Sequence, residues 1–589
     1  MRKTTRTTLG LVLAATLAVP AAAGPLAAVA TADAGTTDAA ETSADAGTAA
    51  AAGRSAGAAS ATQAGAGDAL AIREAAKAAR VAVPKIPWAS CGTDPKLAKF
   101  QCASVEVPTD YDQPRGATTT IALTKLPASK PAERIGTLFT NPGGPGGPGV
   151  GFVQTTAEFA YTPEVRAKFD ILGFDPRGVG KSDPVTCFPT ASEETALLTG
   201  VPGFPLTAKE AKQFTVVNAK LAVGCLTTSP DRLTHYSTAN VARDMDLLRR
   251  AVGDDKLSYA GYSYGTYLGA TYAKFFPGKV RALVLDGTLS PEWYSGSDGD
   301  RRPVGVRLRQ GEGAADTYQQ FLAECKKAGA AACALAKYGD PSTVTERLLA
   351  QLKTKPIELQ MPDGTTTKLT YQDVVQTIFF NLYGPDAWTD LAAGLADLVA
   401  ASAPARTAKA LKAPKIVIEW NRRKEEYTSA GSSLQPCIEA RQSGRPLAYS
   451  QFADDADRRA PHFGRMRAWV GQTCEFMPVR DTDDFRGPWK NSVKAPVLVI
   501  GTRHDPATPY QATRPYADLY PDARMITIEG FGHTALGNST CADAKITAYL
   551  VGLKAPADNS TCAQDRKPFT PAAKARASLP NPALELAGF

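Results

Sequence analysis

The sequence predicts an α/β fold with a mostly parallel central sheet and a helical segment inserted between core strands. Three observations predict it. First, short apolar runs recur, and each ends in a loop rich in Gly, Pro or Asp: "IGTLFTNPGG" (135–144), "FDILGFDPRG" (169–178), "KLSYAGYS" (256–263), "VRALVLDG" (280–287), "APVLVIGTRHD" (495–505) and "ARMITIEGFGH" (523–533). Near-continuous apolar runs suit strands buried on both faces of a parallel sheet. Second, helical patterns stand between some of these runs, at 238–253 and 264–278, and alternating strands and helices imply an α/β architecture. Third, the signal turns mostly helical between about 290 and 490, and strand signals resume at "APVLVIG". That places a helical insertion between the sixth and seventh core strands.

The ends of the chain read differently. Arg2, Lys3 and Arg6 precede the apolar run "LGLVLAATLAVPAAAG", the layout of a secretory signal peptide. Residues 1–34 are assigned to it, with cleavage after Ala23 or Ala30. The run is short and broken by Pro20, which argues against a membrane anchor. Residues 35–84 are expected to form a disordered Ala/Gly-rich linker or pro-segment, because such a composition buries too little apolar surface to offset chain entropy. The core follows as 85–290 and 491–563, interrupted by the insertion at 291–490, and 564–589 is a tail.

Net charge is +8 over 589 residues, with the charges scattered as on an ordinary solvated surface, so neither a nucleic acid nor a membrane is expected as partner. No C-x-x-C or H-E-x-x-H occurs, and no metal or cofactor is expected. The ten cysteines are an even set, which beside an export signal reads as disulfides in a secreted, extracellular protein. Pairing neighbours in order gives Cys91–Cys102, Cys187–Cys225, Cys325–Cys333, Cys437–Cys474 and Cys541–Cys562.

Two segments fit G-x-S-x-G: "GRSAG" (53–57) and "GYSYG" (261–265). With 50 Gly in the chain, about 0.3 matches are expected by chance, so context decides. Ser55 lies in the linker, where nothing holds a rigid turn. Ser263 lies between an apolar strand and a helix, on a sharp turn that pushes its Oγ out of the sheet edge. Gly261 and Gly265 are small where strand and helix pass close. The helix N-terminus adds free N–H groups and partial positive charge.

A nucleophilic serine needs a base and an orienting acid. On such a sheet the chain order is Ser, acid, His. Of the four histidines, His235 precedes the serine, His462 lies in the insertion, and His504 is adjacent to Asp505. His533, in the loop after the last strand, can reach the elbow. Asp505, after "APVLVIGTRH", is the preferred acid, and Asp286 is its rival. Oxyanion donors are expected from the N–H of Tyr264 and from "NPGGPGGPG" (141–149), with Gly144 first and Gly143 second.

Taken together, "WASCG", "VEVPTDYDQP", "GTLFTNPGGPGGPG", "GFDPRGVGKSDP", "GYSYGTYLGATYAKFFP", "RHDPATPY", "GFGHT" and the closing pair of cysteines resemble the secreted bacterial tripeptidyl aminopeptidases. These are α/β-hydrolase serine exopeptidases related to the proline iminopeptidases. The likeness spans about residues 87–563. It implies an α/β-hydrolase fold, the triad Ser263, Asp505 and His533, and a helical cap over the site. It also implies peptide substrates with a free N-terminus, whose ammonium needs a carboxylate. Glu439, just after Cys437, is the candidate, although shifted by one from the family's acidic position; Glu425 and Glu426 are alternatives. Pro148 stands where the family commonly has Ser. The same triad on a different leaving group makes an esterase, and a proline-preferring aminopeptidase with a different cleavage length is the other alternative.

Overall fold

The computed structural model describes residues 69–402, 411–413, 417 and 430–570. The signal peptide, Ser55, Glu425 and Glu426 lie outside these residues.

The core begins with strands β1 (Ala89–Ser90), β2 (Gln101–Pro108), β3 (Thr118–Leu126), β4 (Gly136–Asn141), β5 (Phe169–Phe174), β6 (Leu257–Tyr262) and β7 (Val280–Asp286). Three short strands, β8 (Ile357–Gln360), β9 (Thr366–Leu369) and β10 (Leu411–Lys412), form a separate sheet within the insertion. The core resumes with β11 (Val497–His504), β12 (Ala523–Phe531) and β13 (Ser560–Ala563). The ten core strands run in the order β1-β2-β3-β5-β4-β6-β7-β11-β12-β13. Every pairing from β5 to β13 is parallel, and β1, β2 and β3 are antiparallel additions at one edge.

The apolar runs explain the sheet. Every residue of β4, β5 and β6 is buried. Along β11, Val497 and Val499 enter one apolar cluster, and Leu498 and Ile500 enter the other. Alternate side chains thus bury both faces, as a sheet between two helical layers requires.

The five disulfides join the cysteines in sequence order: Cys91–Cys102, Cys187–Cys225, Cys325–Cys333, Cys437–Cys474 and Cys541–Cys562. No helix among the described residues is long and apolar enough to cross a membrane.

Several expectations need correction. Residues 69–79, placed in the linker, are helical and packed on the core. Glu74 in this helix is fully buried and pairs with Arg243 at 2.8 Å, while Lys77 bridges Asp112 at 2.8 Å and Asp483 at 2.9 Å. Its charged side chains are ion-pair partners. The insertion enters between the seventh and eighth strands of the sheet, because the two-residue β1 adds one to the count. It is not wholly helical, since it contains β8–β10.

The insertion also has help from elsewhere. The helix Ala208–Thr228, between β5 and β6, starts with a Thr207/Glu210 capping box and packs on the segment Gln472–Phe476. The cap is therefore built from two excursions of the chain. Finally, the tail begins later than 564. Arg566 pairs with Asp386 at 3.0 Å, and Phe569 packs on Phe321 and Trp388 in the cap.

Candidate active site

The register of the central strands sets the site. Asn141 of β4 pairs with Gly261 of β6, Tyr262 of β6 with Asp286 of β7, and Asp286 with Ile500 of β11. The carboxyl ends of β4, β6 and β7 therefore lie level and β11 runs on to His504, at the edge where an open α/β sheet collects ligand-binding loops.

Ser263 follows β6 and begins the helix Tyr264–Phe275. Its backbone has φ 55° and ψ −124°, a strained conformation for a non-glycine residue. The turn is over-determined by its neighbours. Ser263 N donates to Asp286 O at 3.0 Å, and Ser263 O accepts from Thr266 N at 2.9 Å and Thr266 Oγ1 at 2.6 Å. A Cβ on Gly261 would sit 2.4 Å from Gly265 O, and one on Gly265 would sit 2.7 Å from Asn141 O. Both glycines are required by close approach, as the sequence suggested.

The glycine loop lies against this elbow. A Cβ on Gly143 would fall 2.4 Å from Tyr262 O and 2.9 Å from Tyr264 N. Gly143 N already donates to the Asn141 side chain at 3.0 Å. The N–H of Gly144 is the next along the loop.

His533 is buried beneath the cap, 1% exposed. Its Nδ1 lies 3.0 Å from both carboxylate oxygens of Asp505. Asp505 also accepts from Ala507 N and Thr508 N at 2.8 Å and from Thr508 Oγ1 at 2.9 Å. The loop "HDPATP" thus wraps its own carboxylate and aims it at the imidazole. His533 Nε2 is buried and makes no hydrogen bond to a described residue. The Ser263–His533 hydrogen bond is accordingly not formed in this geometry.

The rival acid has another partner. Asp286 accepts Ala535 N at 3.1 and 2.9 Å on its two oxygens, and burial pushes its carboxyl up to about 7. It steadies the loop after His533 without touching the ring nitrogen. The other histidines lie apart: His462 bonds Glu346 and Tyr371 inside the cap, and His504 bonds Asp316.

Glu439 does not fit the expectation of an open receptor for an ammonium. It is 1% exposed. Its oxygens accept from Thr238 N at 2.7 Å, Thr238 Oγ1 at 2.8 Å and Tyr294 OH at 2.8 Å. Thr238 Oγ1 in turn bonds Tyr264 OH. Burial, the largest effect, pushes the carboxyl up to about 8 despite these donors. Glu439 therefore braces the start of the helix Thr238–Ala251 and, through Thr238, the side chain beside the nucleophile.

Sequence reading missed Thr508, Tyr383 and the bracing role of Glu439. Only Thr508 had a local signal, its place three residues after Asp505, where a hydroxyl can bond back to the carboxylate.

The site can be set beside known proteins. A family model described as alpha/beta hydrolase fold matches residues 137–317, and one described as TAP-like protein matches residues 460–562. Serine protease Hip1 of Mycobacterium tuberculosis is 32% identical over 537 residues, covering 83% of this chain and 94% of that protein. The chain belongs to the TAP-like α/β hydrolases. Tripeptidyl aminopeptidase of Streptomyces lividans is 30% identical over 503 residues, covering 83% of this chain and 89% of that protein. Carboxylesterase B of Mycobacterium tuberculosis is 31% identical over 507 residues, covering 82% and 91%. As a TAP-like α/β hydrolase the protein is a serine hydrolase, and the relatives named as protease and aminopeptidase support a serine peptidase.

Proposed function

We propose that the protein is an exported serine exopeptidase that releases short peptides, tripeptides foremost, from the free N-termini of peptides. The observation that carries the chemistry is the arrangement at His533: Nδ1 is held by both oxygens of Asp505 at 3.0 Å, while Nε2 is left without a partner. In this reading Ser263 Oγ attacks the scissile carbonyl and His533 Nε2 takes its proton. Asp505 fixes the tautomer and stabilises the imidazolium. The N–H groups of Tyr264 and Gly144 bind the oxyanion. His533 then protonates the leaving amine, and the acyl-enzyme is hydrolysed by the same steps with water as nucleophile.

The exopeptidase assignment is supported by the tripeptidyl aminopeptidase relatives and by a cap resting directly on the site. Export is supported by the leader pattern of residues 1–34 and by five disulfides. The carboxylate that receives the ammonium is not Glu439 in the geometry seen. A second reading, an esterase on the same triad, is favoured by the likeness to carboxylesterase B.

The test compares a tripeptide anilide carrying a free amine with its N-acetylated form, using Ser263→Ala as blank. Cleavage of the free-amine form alone, with the intact tripeptide released, is expected. Equal cleavage of both overturns N-terminal recognition, and hydrolysis of simple esters alone moves the protein to the esterase reading.

A further inference from the structure

The cap touches the proposed base through Tyr383. Tyr383 follows the helix Tyr371–Asn381. Its carbonyl accepts His533 N at 2.8 Å, and its ring meets the imidazole edge to face, with centroids 5.0 Å apart and planes at 70°. The adjoining glycine shows how tight the contact is. Gly532 has φ +99°, and a Cβ there would lie 2.6 Å from Tyr383 O. Behind Tyr383 stand Phe379 and Phe380, with centroids at 5.4 and 6.1 Å. The tyrosine is 6% exposed and is backed by packed rings.

Asp505 alone leaves the imidazole a freedom. Both of its contacts are made to the single atom Nδ1, so the ring can pivot about that atom and carry Nε2 away from Ser263. Gly287 flanks the ring on the core side, where a Cβ would come within 3.2 Å of His533 Cε1. Gly287 has no side chain to restrain it. The Tyr383 ring supplies a flat wall from the cap.

We propose that Tyr383 is a positioning residue for His533, so that docking of the cap and alignment of the base are one event. The proposal rests on His533 being the general base. Its consequence is that peptide binding to the cap reaches the reaction rate through this contact, without any group of the cap touching the reacting atoms.

The test uses the full mature chain and three variants: Tyr383→Leu, Tyr383→Phe and His533→Gln. It reads kcat and KM, the rate at which a fluorophosphonate labels Ser263, and the low-field proton resonance of a His Nδ1–H bonded to carboxylate. Tyr383→Leu is expected to lower kcat and the labelling rate roughly 10- to 100-fold, with the low-field resonance broadened, because small misplacements of a catalytic group cost that much. KM is expected to stay within about threefold of the unmodified protein, since ground-state binding is untouched. Tyr383→Phe keeps the ring and is expected to behave like the unmodified protein. If the Leu variant does not fold, Tyr383→Met fills the same space without a flat wall and is expected to show the same losses. Unchanged kcat and resonance in a folded Leu or Met variant overturn the proposal while His533→Gln remains inactive. An active His533→Gln overturns instead the triad on which it rests.

Discussion

Asp505 faces His533 Nδ1 with both carboxylate oxygens, each at 3.0 Å. The arrangement leaves one ring nitrogen committed and one free, which is what a general base requires. Asp505→Asn keeps the shape but offers an N–H where an acceptor is needed, and favours the wrong tautomer. A fall in kcat of roughly 10,000-fold is expected with little change in KM, measured on the free-amine anilide.

Thr508 gives Asp505 a hydroxyl donor at 2.9 Å as well as its backbone N–H at 2.8 Å. Thr508→Val removes only the hydroxyl. One hydrogen bond to a charged group is worth about 1.5–3 kcal/mol, so a loss of roughly 10- to 100-fold in kcat/KM is expected, with the thermal midpoint lowered by a few degrees. A variant as active as the unmodified protein would show that the backbone donors suffice.

Glu439 predicts a pH dependence of stability. Its folded-state pKa is pushed up from 4.5 to about 8, mainly by burial. Between those values the folded protein binds the proton more tightly than the unfolded chain does. Its contribution to stability is therefore fully present below pH 4.5 and is lost as pH rises through about 8. Glu439→Gln removes that titration. The stability of the unmodified protein relative to the Gln variant is expected to fall between pH 5 and pH 9, read by denaturant unfolding. A flat difference would place Glu439 in a wetter site than the structure shows.

Glu74 and Arg243 form a buried ion pair at 2.8 Å, with side-chain exposures of 0% and 3%. Removing Glu74 leaves the buried Arg243 with the longer ion pair to Asp483 at 3.6 Å. Glu74→Ala is expected to cost about 3 kcal/mol or more in unfolding free energy. Truncation before residue 69 is expected to leave stability intact, whereas truncation past residue 80 is expected to lower it at least as much as Glu74→Ala. Equal stability of both truncated forms would make the helix 69–79 dispensable.

Cys437–Cys474 closes a loop with a sequence separation of 37 and lies in one apolar cluster with Cys187–Cys225. Replacing both of its cysteines by Ser is expected to cost about 2–4 kcal/mol. Because Glu439 follows Cys437 by two residues, activity is expected to fall as well. Unfolding and anilide turnover, measured on the same sample, check both.

Much of the site was legible along the chain. Ser263 stands out because the strand before it and the helix after it both have strong periodicity, and because Gly261 and Gly265 mark a close crossing. Asp505, His533 and Gly144 each lie in a loop after a buried strand, so the near-continuous apolar runs point to them. The cysteines pair in sequence order. The helix 69–79 and residues 564–570 were misassigned for the opposite reason. Their charged residues find partners far along the chain, as Glu74 does at Arg243 and Arg566 at Asp386. No local pattern distinguishes such a charge from a solvated one.

The sequence by itself determined the α/β class and the insertion, and it singled out the turn at Ser263 and the chain order Ser263, Asp505, His533. These follow from short-range periodicity and from backbone geometry that only a few residue types tolerate. Only the tertiary structure decided what each carboxylate does. Asp505 faces the imidazole, Asp286 holds Ala535, and Glu439 is sealed against Thr238 and Tyr294. The tertiary structure also decided that a tyrosine of the cap lies against His533. A carboxylate's role is set by its burial and by the donors that reach it, and those donors come from segments up to about 250 residues away.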